Sequence, residues 1–261
     1  MDIYENYHSH TFRCKHAQGD VLDYVLQASR SGIRRLGIAD HTPLPDDWSL
    51  GMRMSVEELP GYVDAFAMPR HIIPQVKLYM GMECDYLPKY HSFFKDELLG
   101  RYQFDYLAGS IHAFPYQGEI CWIYGGDPMT VPMLRAYADT CVAAIESGLF
   151  AFIAHPDVFG VSMRRWDPEI RACSRYIVEA AASAGVPLEL NTSGYEKARK
   201  WPTQFSPACY PIEQFWEIAA ETPIRVVVNS DAHVPESLTA DLDTGYRLME
   251  KYGLEKAVLF P

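Results

Sequence analysis

The sequence lacks any long apolar run. No stretch of its 261 residues approaches the roughly 20 apolar residues that cross a bilayer. The first residues, Met1-Asp2-Ile3-Tyr4-Glu5, contain neither the basic segment nor the apolar segment of a secretory leader. We therefore expect a cytoplasmic protein without a membrane partner.

Positive charge is also scarce. The chain has 23 lysines and arginines against 34 aspartates and glutamates, which gives a formal net charge of -11. This balance disfavours a nucleic-acid partner, because a surface that binds phosphates usually carries a basic patch. Bound metal ions would still make a pocket locally positive. A small anionic substrate held by metals is therefore compatible with the acidic chain.

Closely spaced cysteine pairs are absent. Six cysteines are spread along the chain, and no two of them have the Cys-x-x-Cys spacing of a thiolate metal site. In a chain without a secretory leader, reduced thiols are expected. Cys14 and Cys84 lie close to candidate metal ligands in the sequence, and we interpret both as small packing residues. The cysteine pattern thus favours reduced thiols over a disulfide framework.

Short apolar runs alternate with helix-type patterns along the whole chain. The runs are continuously apolar, which is typical of parallel strands covered by helices on both faces. Seven or eight such units favour a closed α/β barrel over an open sheet, and no repeat or linker divides the chain. We predict a single domain spanning residues 1–261. The predicted strands cover residues 3–7, 36–39, 76–82, 106–110, 150–154, 187–191 and 224–228.

Helix signals occupy the segments between these strands. Asp20 is placed to cap a helix that ends near Gly32, and Ser55 with Glu58 has the form of a capping box. Asp127-Pro128 and Asp167-Pro168 have the form of a capping residue followed by the first helical position. Helices are predicted from these signals and over residues 91–99, 127–148, 167–185, 211–221 and 242–252, with Gly100 closing the first of these.

Side chains that bind metals recur where the predicted strands end. His8 and His10 close the first strand and, at positions i and i+2, point to the same side of it. Barrel enzymes carry their active sites at the carboxyl ends of the strands. Seven of the nine histidines and two carboxylates fall in this series: His8, His10, His16, His41, Glu83, His112, His155, Asp231 and His233.

The residue types in this series specify the kind of metal site. Imidazole and carboxylate ligands without thiolate suit zinc, iron or manganese. The donors outnumber what one tetrahedral ion needs, so we expect two or three divalent ions. Glu83 is the candidate to bridge two of them. A single histidine such as His16 would by itself be interpreted as a hydrogen-bonded residue in the wall of a pocket. The prediction of a metal site therefore depends on the recurrence of such residues at the strand ends.

Together these motifs resemble the polymerase and histidinol phosphatase (PHP) family of phosphoesterases. The resemblance covers essentially the full length, from His8-Ser9-His10 to Ser230-Asp231-Ala232-His233. It implies a distorted (β/α)7 TIM-like barrel with a trinuclear metal site. It also implies three ligand sets: His8, His10, Glu83 and Asp231; Glu83, His112 and His155; and His16, His41 and His233. Asp40 has no ligand role in this scheme, and we interpret it as orienting a ligand histidine.

Within that family the chain is most similar to the histidinol-phosphate phosphatase branch. Residues 41–45, 53–62 and 189–194 carry this narrower resemblance. It implies hydrolysis of L-histidinol phosphate to L-histidinol and phosphate, a step of histidine biosynthesis. The arginine that usually follows Asn-Thr-Ser-Gly is shifted here to Arg199, and Arg164 with Arg165 replaces a single-arginine motif.

These ligands suggest a mechanism. A hydroxide bridging two ions would attack phosphorus, because a bound dication lowers the pKa of water to about 7. Arg199 with Arg164 or Arg165 would hold the phosphate oxygens, although a solvated helix end fits any one of them nearly as well. Tyr116, Trp122 and Trp201 either line the pocket or serve ordinary packing.

Three other functions fit part of the pattern. A PHP-type phosphoesterase could act on another small phosphate ester, a nucleotide or an oligonucleotide end, although the acidic charge weakens the last. A metal-dependent amidohydrolase would share the barrel, but its site often uses a lysine ligand, and no lysine follows a predicted strand. An inactive metal-binding module would have no need to keep the full ligand set.

Overall fold

A computed structural model describes residues 5–125, 128–163, 165–205 and 207–260. Strands and helices alternate over most of the described chain. The strands are β1 (Glu5–Asn6), β2 (Arg35–His41), β3 (Lys77–Asp85), β4 (Tyr106–Ser110), β5 (Ala113–Tyr116), β6 (Glu119–Trp122), β7 (Phe152–Ile153), β8 (Leu188–Asn191), β9 (Arg225–Asn229) and β10 (Glu255–Lys256).

The α-helices lie mainly between the strands. They are α1 (Val21–Ser31), α2 (Leu59–Asp64), α3 (Ala67–Ile72), α4 (Val131–Glu146), α5 (Pro168–Ala184), α6 (Ser193–Lys200), α7 (Pro202–Phe205), α8 (Glu213–Ala219) and α9 (Leu242–Lys251). Among the described residues, no helix combines the length and the apolar character needed to cross a membrane.

The chain divides into two compact units. The first comprises Met1–Cys84, Pro88–Ala108 and Asn229–Asp243, and the second comprises Asp85–Leu87, Gly109–Val228 and Thr244–Pro261. A domain is a part of the chain that folds on its own, whereas the two units describe packing. The single domain predicted over residues 1–261 therefore stays a prediction.

In the first unit, β1, β2, β3 and the start of β4 are neighbours in that order. β2 is parallel to both β1 and β3, and its pairing with β3 runs unbroken from Arg35 opposite Lys77 to His41 opposite Glu83. Parallel strands in register end at the same edge of a sheet. The residues that follow these strands are therefore delivered to one place.

Tyr106 fills the space between strands of the first unit. Its hydroxyl donates to the Tyr7 carbonyl oxygen at 2.6 Å, and it is almost fully buried. Its ring lies so close to Gly37 and Gly81 that a Cβ at either glycine would collide with it. The two glycines thus allow an aromatic ring to pack directly against the backbone.

In the second unit, β7, β8, β9 and β10 are neighbours in that order, and β7 pairs with β8 and β9 with β10 in parallel. β5 and β6 form a separate antiparallel hairpin. α4 packs against α5, and α5 packs against α8. The hairpin was not predicted, because its two strands are short and partly exposed and so lack a buried apolar run.

Capping residues set several helix boundaries, as predicted. The Asp20 carboxylate accepts from the Val21 amide and forms a capping box, and Gly32 closes α1 with φ +84°. The Ser55 and Glu58 capping box is also present, at a 3-10 turn that precedes α2. Asp167 opens α5, which ends before Gly185 in the left-handed conformation. These helix starts and stops are confirmed.

Two predicted helix boundaries are wrong. The segment predicted as an α-helix over 91–99 is a π-helix, Phe93–Arg101, which runs through Gly100 instead of ending there. Its last turn is closed by the Tyr102 amide donating to Glu97 at 2.8 Å, five residues back. The helix predicted from Asp127-Pro128 begins at Val131, because the Thr130 side chain caps it. Asp127 itself lies outside the described residues.

Candidate metal centre

Glu83 lies among three imidazoles of the first unit. Because β2 and β3 are in register, His41 and Glu83 are paired, and His41 Nδ1 lies 2.8 Å from Glu83 Oε2. The Nε2 atoms of His8 and His10 each lie 3.6 Å from the same oxygen. All four side chains are buried. One carboxylate oxygen is thus within reach of three potential metal ligands.

Asp231 supplies a second carboxylate to this group. A parallel bridge between Ser9 and Ala232 places Asp231 beside the segment after β1. Its Oδ1 atom lies 3.0 Å from His10 Nε2 and 3.7 Å from His8 Nε2. The Asp231 backbone is in the left-handed conformation, with φ +50°. Two imidazoles and two carboxylates therefore converge within the first unit.

The electrostatics of this group favour a cation. Burial alone would lower the pKa of His10, but hydrogen bonds to Asp231 and Asp40 and the charges of Asp231 and Glu83 raise it to about 9. Burial opposes ionisation of Asp231, yet the charge of His8 and the hydrogen bond from His10 hold its pKa well below the usual range. Positive charge beside Asp231 thus favours its anion, and a divalent ion would supply such charge.

His16 and His233 form a second group. Nδ1 of His16 lies 2.7 Å from the Cys14 carbonyl oxygen, and Nδ1 of His233 lies 2.9 Å from the Asp231 carbonyl oxygen. A carbonyl oxygen can only accept, so each Nδ1 carries the proton and each Nε2 carries a lone pair. The two Nε2 atoms are 3.1 Å apart. Two facing lone pairs repel each other unless a cation binds both.

His41 completes this second group. The ligand atoms of His16, His41 and His233 lie within 4.8 Å of one another, and so do those of His8, His10 and Glu83. The second group offers three nitrogen donors, and the first offers nitrogen and carboxylate oxygen donors; both kinds fit zinc, iron or manganese. The described residues therefore fit bound divalent metals, and the assignment of particular ions to them stays a prediction.

Asp40 is buried behind His10. Its Oδ1 atom lies 3.6 Å from His10 Nδ1, on the side of the ring away from Asp231. Its Oδ2 atom accepts from the Thr11 amide at 3.0 Å and from the Thr11 hydroxyl. This is the position that the predicted orienting role requires.

In the second unit, a carboxylate holds His112. Oδ1 of Asp85 accepts from the His112 backbone amide at 2.9 Å and lies 3.1 Å from His112 Nδ1. Asp85 is 1% exposed, so this contact is shielded from solvent. The rings of Trp122 and Tyr124 lie 5.9 Å and 6.1 Å from the His112 ring. With Nδ1 facing a carboxylate, Nε2 is the candidate ligand atom of His112.

His155 has a strained backbone that a buried carboxylate supports. Its φ is +28°, outside the usual range for a side chain of this size. The His155 amide donates to Glu189 Oε2 at 2.9 Å, and Asn191 Nδ2 donates to the same oxygen at 2.9 Å. The His155 and His112 ring centroids are 4.8 Å apart. The second unit thus holds its own pair of candidate ligands.

The predicted phosphate contacts are less defined. Arg164 lies outside the described residues. Arg165 is exposed, and its Nε lies 2.9 Å from Asp167 Oδ2. Arg199 occupies an exposed position on α6. Contact between phosphate and any of these arginines stays a prediction.

A lysine of α6 has a better-defined environment. Lys197 is half-buried, and its Nζ donates to the Tyr210 hydroxyl at 2.6 Å. Positions two apart on a helix face different sides, so Lys197 and Arg199 do not share a face. The Tyr210 ring centroid lies 6.3 Å from that of His155. The structure therefore brings Lys197 and Tyr210 close to a candidate ligand of the second unit.

Of the three aromatic residues proposed as pocket walls, the described contacts bring Trp122 to a candidate ligand, His112. Trp201 is 52% exposed and stacks edge-on against Phe205. Tyr116 lies on the β5–β6 hairpin, where its hydroxyl accepts from Gln117.

Four residues with defined contacts were missed as functional candidates: Asp85, Glu189, Lys197 and Tyr210. Asp85 could have been found, because it lies two residues after Glu83 on a strand and therefore shares its side. Glu189 shows the same spacing relative to Asn191. Nothing in the sequence near Lys197 or Tyr210 indicates that the two meet.

The sequence is similar to known proteins over most of its length. The sequence profile described as "PHP domain" matches residues 6–193. The chain is 30% identical over 240 residues to the "Probable histidinol-phosphatase" of Deinococcus radiodurans, covering 87% of this chain and 85% of that protein. It is 28% identical over 236 residues to a "Probable phosphatase" of Shewanella sp. strain ANA-3, covering 88% of this chain and 77% of that protein.

A solved structure shares the fold. The histidinol phosphate phosphatase of Lactococcus lactis subsp. lactis, crystallised with zinc, L-histidinol and phosphate, superposes with a TM-score of 0.74. The match covers 97% of this chain and 95% of that chain at 18% sequence identity. At this identity the likeness shows the fold. It confirms the predicted fold class, α/β with a distorted (β/α)7 TIM-like barrel.

Proposed function

Because the chain belongs to the PHP domain family, we propose that it is a metal-dependent phosphomonoesterase that hydrolyses L-histidinol phosphate to L-histidinol and phosphate. The observation that carries the proposal is the convergence of imidazoles with Glu83 and Asp231 in the first unit. The Deinococcus relative, which spans most of both chains, supports the substrate. The substrate is then a small phosphate ester that also carries an amine and an imidazole.

We propose two or three divalent ions. One is held by His8, His10, Glu83 and Asp231, and another by His16, His41 and His233. His112 and His155 are proposed as further ligands from the second unit. Zinc is the first metal to test, because the Lactococcus structure contains it.

The chain's own residues prepare the ligands. When bound, divalent ions supply Lewis acidity and a nucleophilic water at neutral pH. Burial and the positive charge of His10 lower the pKa of His233 well below its usual value, so its imidazole stays neutral and able to ligate. Asp40 faces the second nitrogen of His10, and Asp85 faces that of His112. These contacts fix which nitrogen each ring presents.

The acidic chain suits a substrate that carries an amine. A net charge of -11 attracts an ammonium group, while metals and nearby cations attract the phosphate. A neutral aryl phosphate lacks the ammonium, and a nucleotide lacks the small size. Selectivity is thus expected from groups around the metals and not from the metals themselves.

The experiment is a comparison of kcat/KM for L-histidinol phosphate, AMP and a neutral aryl phosphate, with metal analysis of the same sample. We expect histidinol phosphate to be preferred by at least about tenfold, or about 1.4 kcal/mol of transition-state discrimination. A preference of that size for AMP or the aryl ester would overturn the substrate and leave a broader phosphatase. The unspecified phosphatase name of the Shewanella relative favours that second candidate.

A further inference from the structure

The loop after β7 holds a candidate metal ligand in an unfavourable backbone conformation. His155 has φ +28°, a region that residues with a Cβ rarely adopt. Such a conformation persists only where the surrounding contacts leave no alternative. The His155 amide donates to Glu189 Oε2 at 2.9 Å, which fixes the side of the residue that faces β7. The other side must be fixed by the residues that follow His155.

Asp157 holds that other side, within the second unit. Its Oδ2 atom accepts from the Ile212 amide at 2.6 Å and from Trp216 Nε1 at 3.1 Å, so one carboxylate oxygen ties the loop to two groups far along the chain. The Val158 amide donates to the His155 carbonyl oxygen at 2.9 Å and closes a turn around Asp157. A displacement of Asp157 is therefore passed directly to His155.

The backbone on both sides of Asp157 also has close neighbours. The Pro156 carbonyl oxygen accepts from the Tyr137 hydroxyl at 2.8 Å. Gly160 lies so near the Cys209 carbonyl oxygen that a Cβ on the glycine would collide with it. The loop is thus packed against other parts of the second unit, and the Asp157 carboxylate is a side-chain contact in the middle of it.

Stability alone does not explain the Asp157 carboxylate. The side chain is fully buried, and its Oδ1 atom makes no hydrogen bond to any residue that the structure describes. Burial of a carboxylate with one oxygen unpaired costs free energy that an apolar side chain would avoid. A buried group of this kind calls for a role beyond packing.

We propose that Asp157 is a positioning residue that keeps His155 at its positive φ and thereby keeps the imidazole in place for a metal ion. The inference rests on the proposed ligand role of His155. Asp157 acts only through His155 and contacts neither metal nor substrate. Its loss should let the His155 backbone relax to a negative φ, which moves the ring.

The first test measures zinc affinity by chelator competition in the full chain. Asp157→Ala should weaken the binding of one zinc ion per chain by about 10–100-fold, the range for residues that support a ligand. Asp157→Asn keeps an oxygen that can accept from the same two groups, and it should restore most of the affinity. In a His155→Ala background, Asp157→Ala should have no further effect, because the ring on which it acts is gone.

The second test measures the backbone at position 155 without the imidazole. His155→Gly and His155→Ala both lack the ring, but glycine accepts a positive φ without steric cost. We therefore expect His155→Gly to have the higher Tm when Asp157 is present. In an Asp157→Ala background the difference should shrink or reverse, because glycine is the less stable choice at an ordinary φ. A role in general packing would lower both Tm values and leave their difference unchanged.

Asp167→Ala is the matched control. Oδ1 of Asp167 also accepts from two N–H groups, those of Glu169 and Ile170, each at 3.0 Å. It caps α5 and contacts no candidate metal ligand in the described part of the chain. Asp167→Ala should therefore lower the Tm and leave zinc affinity unchanged.

A second variant is available if Asp157→Ala does not fold. Trp216→Phe removes one of the two groups that donate to Asp157 and keeps an aromatic ring. In the same two tests it should weaken zinc binding by about 2–10-fold, the range for one hydrogen bond, and reduce the Tm difference.

Unchanged zinc affinity in Asp157→Ala, or an equal loss with and without His155, would overturn the proposal. The same Tm difference in both backgrounds would also overturn it. Unchanged zinc affinity in His155→Ala would do so too, because His155 would then not be a ligand. A protein that shows the expected zinc and Tm effects but releases no phosphate from any ester overturns the phosphatase function and retains the positioning role.

Discussion

The carboxylates beside the histidines have different surroundings in the two units. In the first unit, Glu83 and Asp231 lie among imidazole nitrogens that face one another. In the second unit, Asp85 and Glu189 lie behind the histidines and accept from their N–H groups. Carboxylates of the first kind are placed to bind metal, whereas those of the second kind hold ligands in position.

A second difference concerns what orients the rings. His16 and His233 are each held by a carbonyl oxygen two residues earlier in the chain. The His112 ring depends on a side chain 27 residues away, and the His155 backbone amide donates to one 34 residues away. A contact made by a backbone carbonyl remains when the side chain of that residue is substituted. A contact made by a side chain is removed by a single substitution. His112 and His155 should therefore be more sensitive than His16 to a single substitution behind them, and His10, whose Nδ1 faces the Asp40 side chain, should resemble them.

Removal of a carboxylate of the first kind should have the largest effect. Glu83→Ala takes one oxygen away from three imidazoles, and we expect loss of bound metal and at least about a 10³-fold fall in kcat/KM, the upper end for losing one electrostatic group. Metal analysis and phosphate release measure both effects. Glu57→Ala, at an exposed glutamate, is the control. Full activity with full metal content in Glu83→Ala would exclude Glu83 as a metal ligand.

Loss of one imidazole from the second group of the first unit should come next. His233→Ala leaves His16 without the ring whose Nε2 faces its own at 3.1 Å, so one ion per chain should be lost. We expect kcat/KM to fall by about 10²-fold. His71→Ala removes an exposed histidine and should leave the metal content unchanged. Unchanged metal content in His233→Ala would exclude this group as a metal site.

The contrast between the units predicts a smaller loss for the carboxylates behind the ligands. Asp85→Asn and Glu189→Gln keep the shape of the side chain but remove its charge, and each should weaken metal affinity by about 10–100-fold. Chelator competition measures this independently of activity. Asp105→Asn is the control, because Asp105 accepts from the Met80 amide at 2.7 Å without contacting a candidate ligand in the described structure. A loss of metal as large as that in Glu83→Ala would contradict the distinction between carboxylates that bind metal and carboxylates that hold ligands in position.

The smallest effect should come from a residue whose backbone, not its side chain, orients a ring. The Cys14 carbonyl holds His16, and burial raises the pKa of the Cys14 thiol far above its usual value, which keeps it protonated. Cys14→Ala should retain the full metal content and cost about 1 kcal/mol of stability for the small cavity. Thermal unfolding and metal analysis test this. Loss of an ion would instead identify the thiol as a ligand.

The sequence predicts the fold where local rules decide it. Runs of buried residues give β2, β3, β4 and β8, and caps such as Asp20 and Asp167 give the helix starts. It fails where competing signals are close together. Pro128 and Pro132 both suit a first helical turn, and the Thr130 side chain decides between them. The π-helix through Gly100 depends on packing that no local pattern reports.

The candidate site was predictable for a similar reason. Parallel strands end at one edge, so residues such as His41 and Glu83 can be grouped from their spacing alone. Contacts between side chains far apart in sequence cannot be found this way. The Lys197 and Tyr210 pair joins α6 to an irregular segment, and its existence depends on the close approach of that backbone to Gly194. Only the three-dimensional structure contains that information.

The packing of Tyr106 against Gly37 and Gly81 limits the order in which substitutions at these three positions can accumulate during evolution. A side chain at either glycine collides with the ring unless Tyr106 has already become smaller. Shrinking Tyr106 first leaves a void and removes the hydrogen bond to Tyr7. Each single step is therefore unfavourable, although a combined change need not be. The three positions should be inherited as a set, and a relative that differs at one should differ at the others.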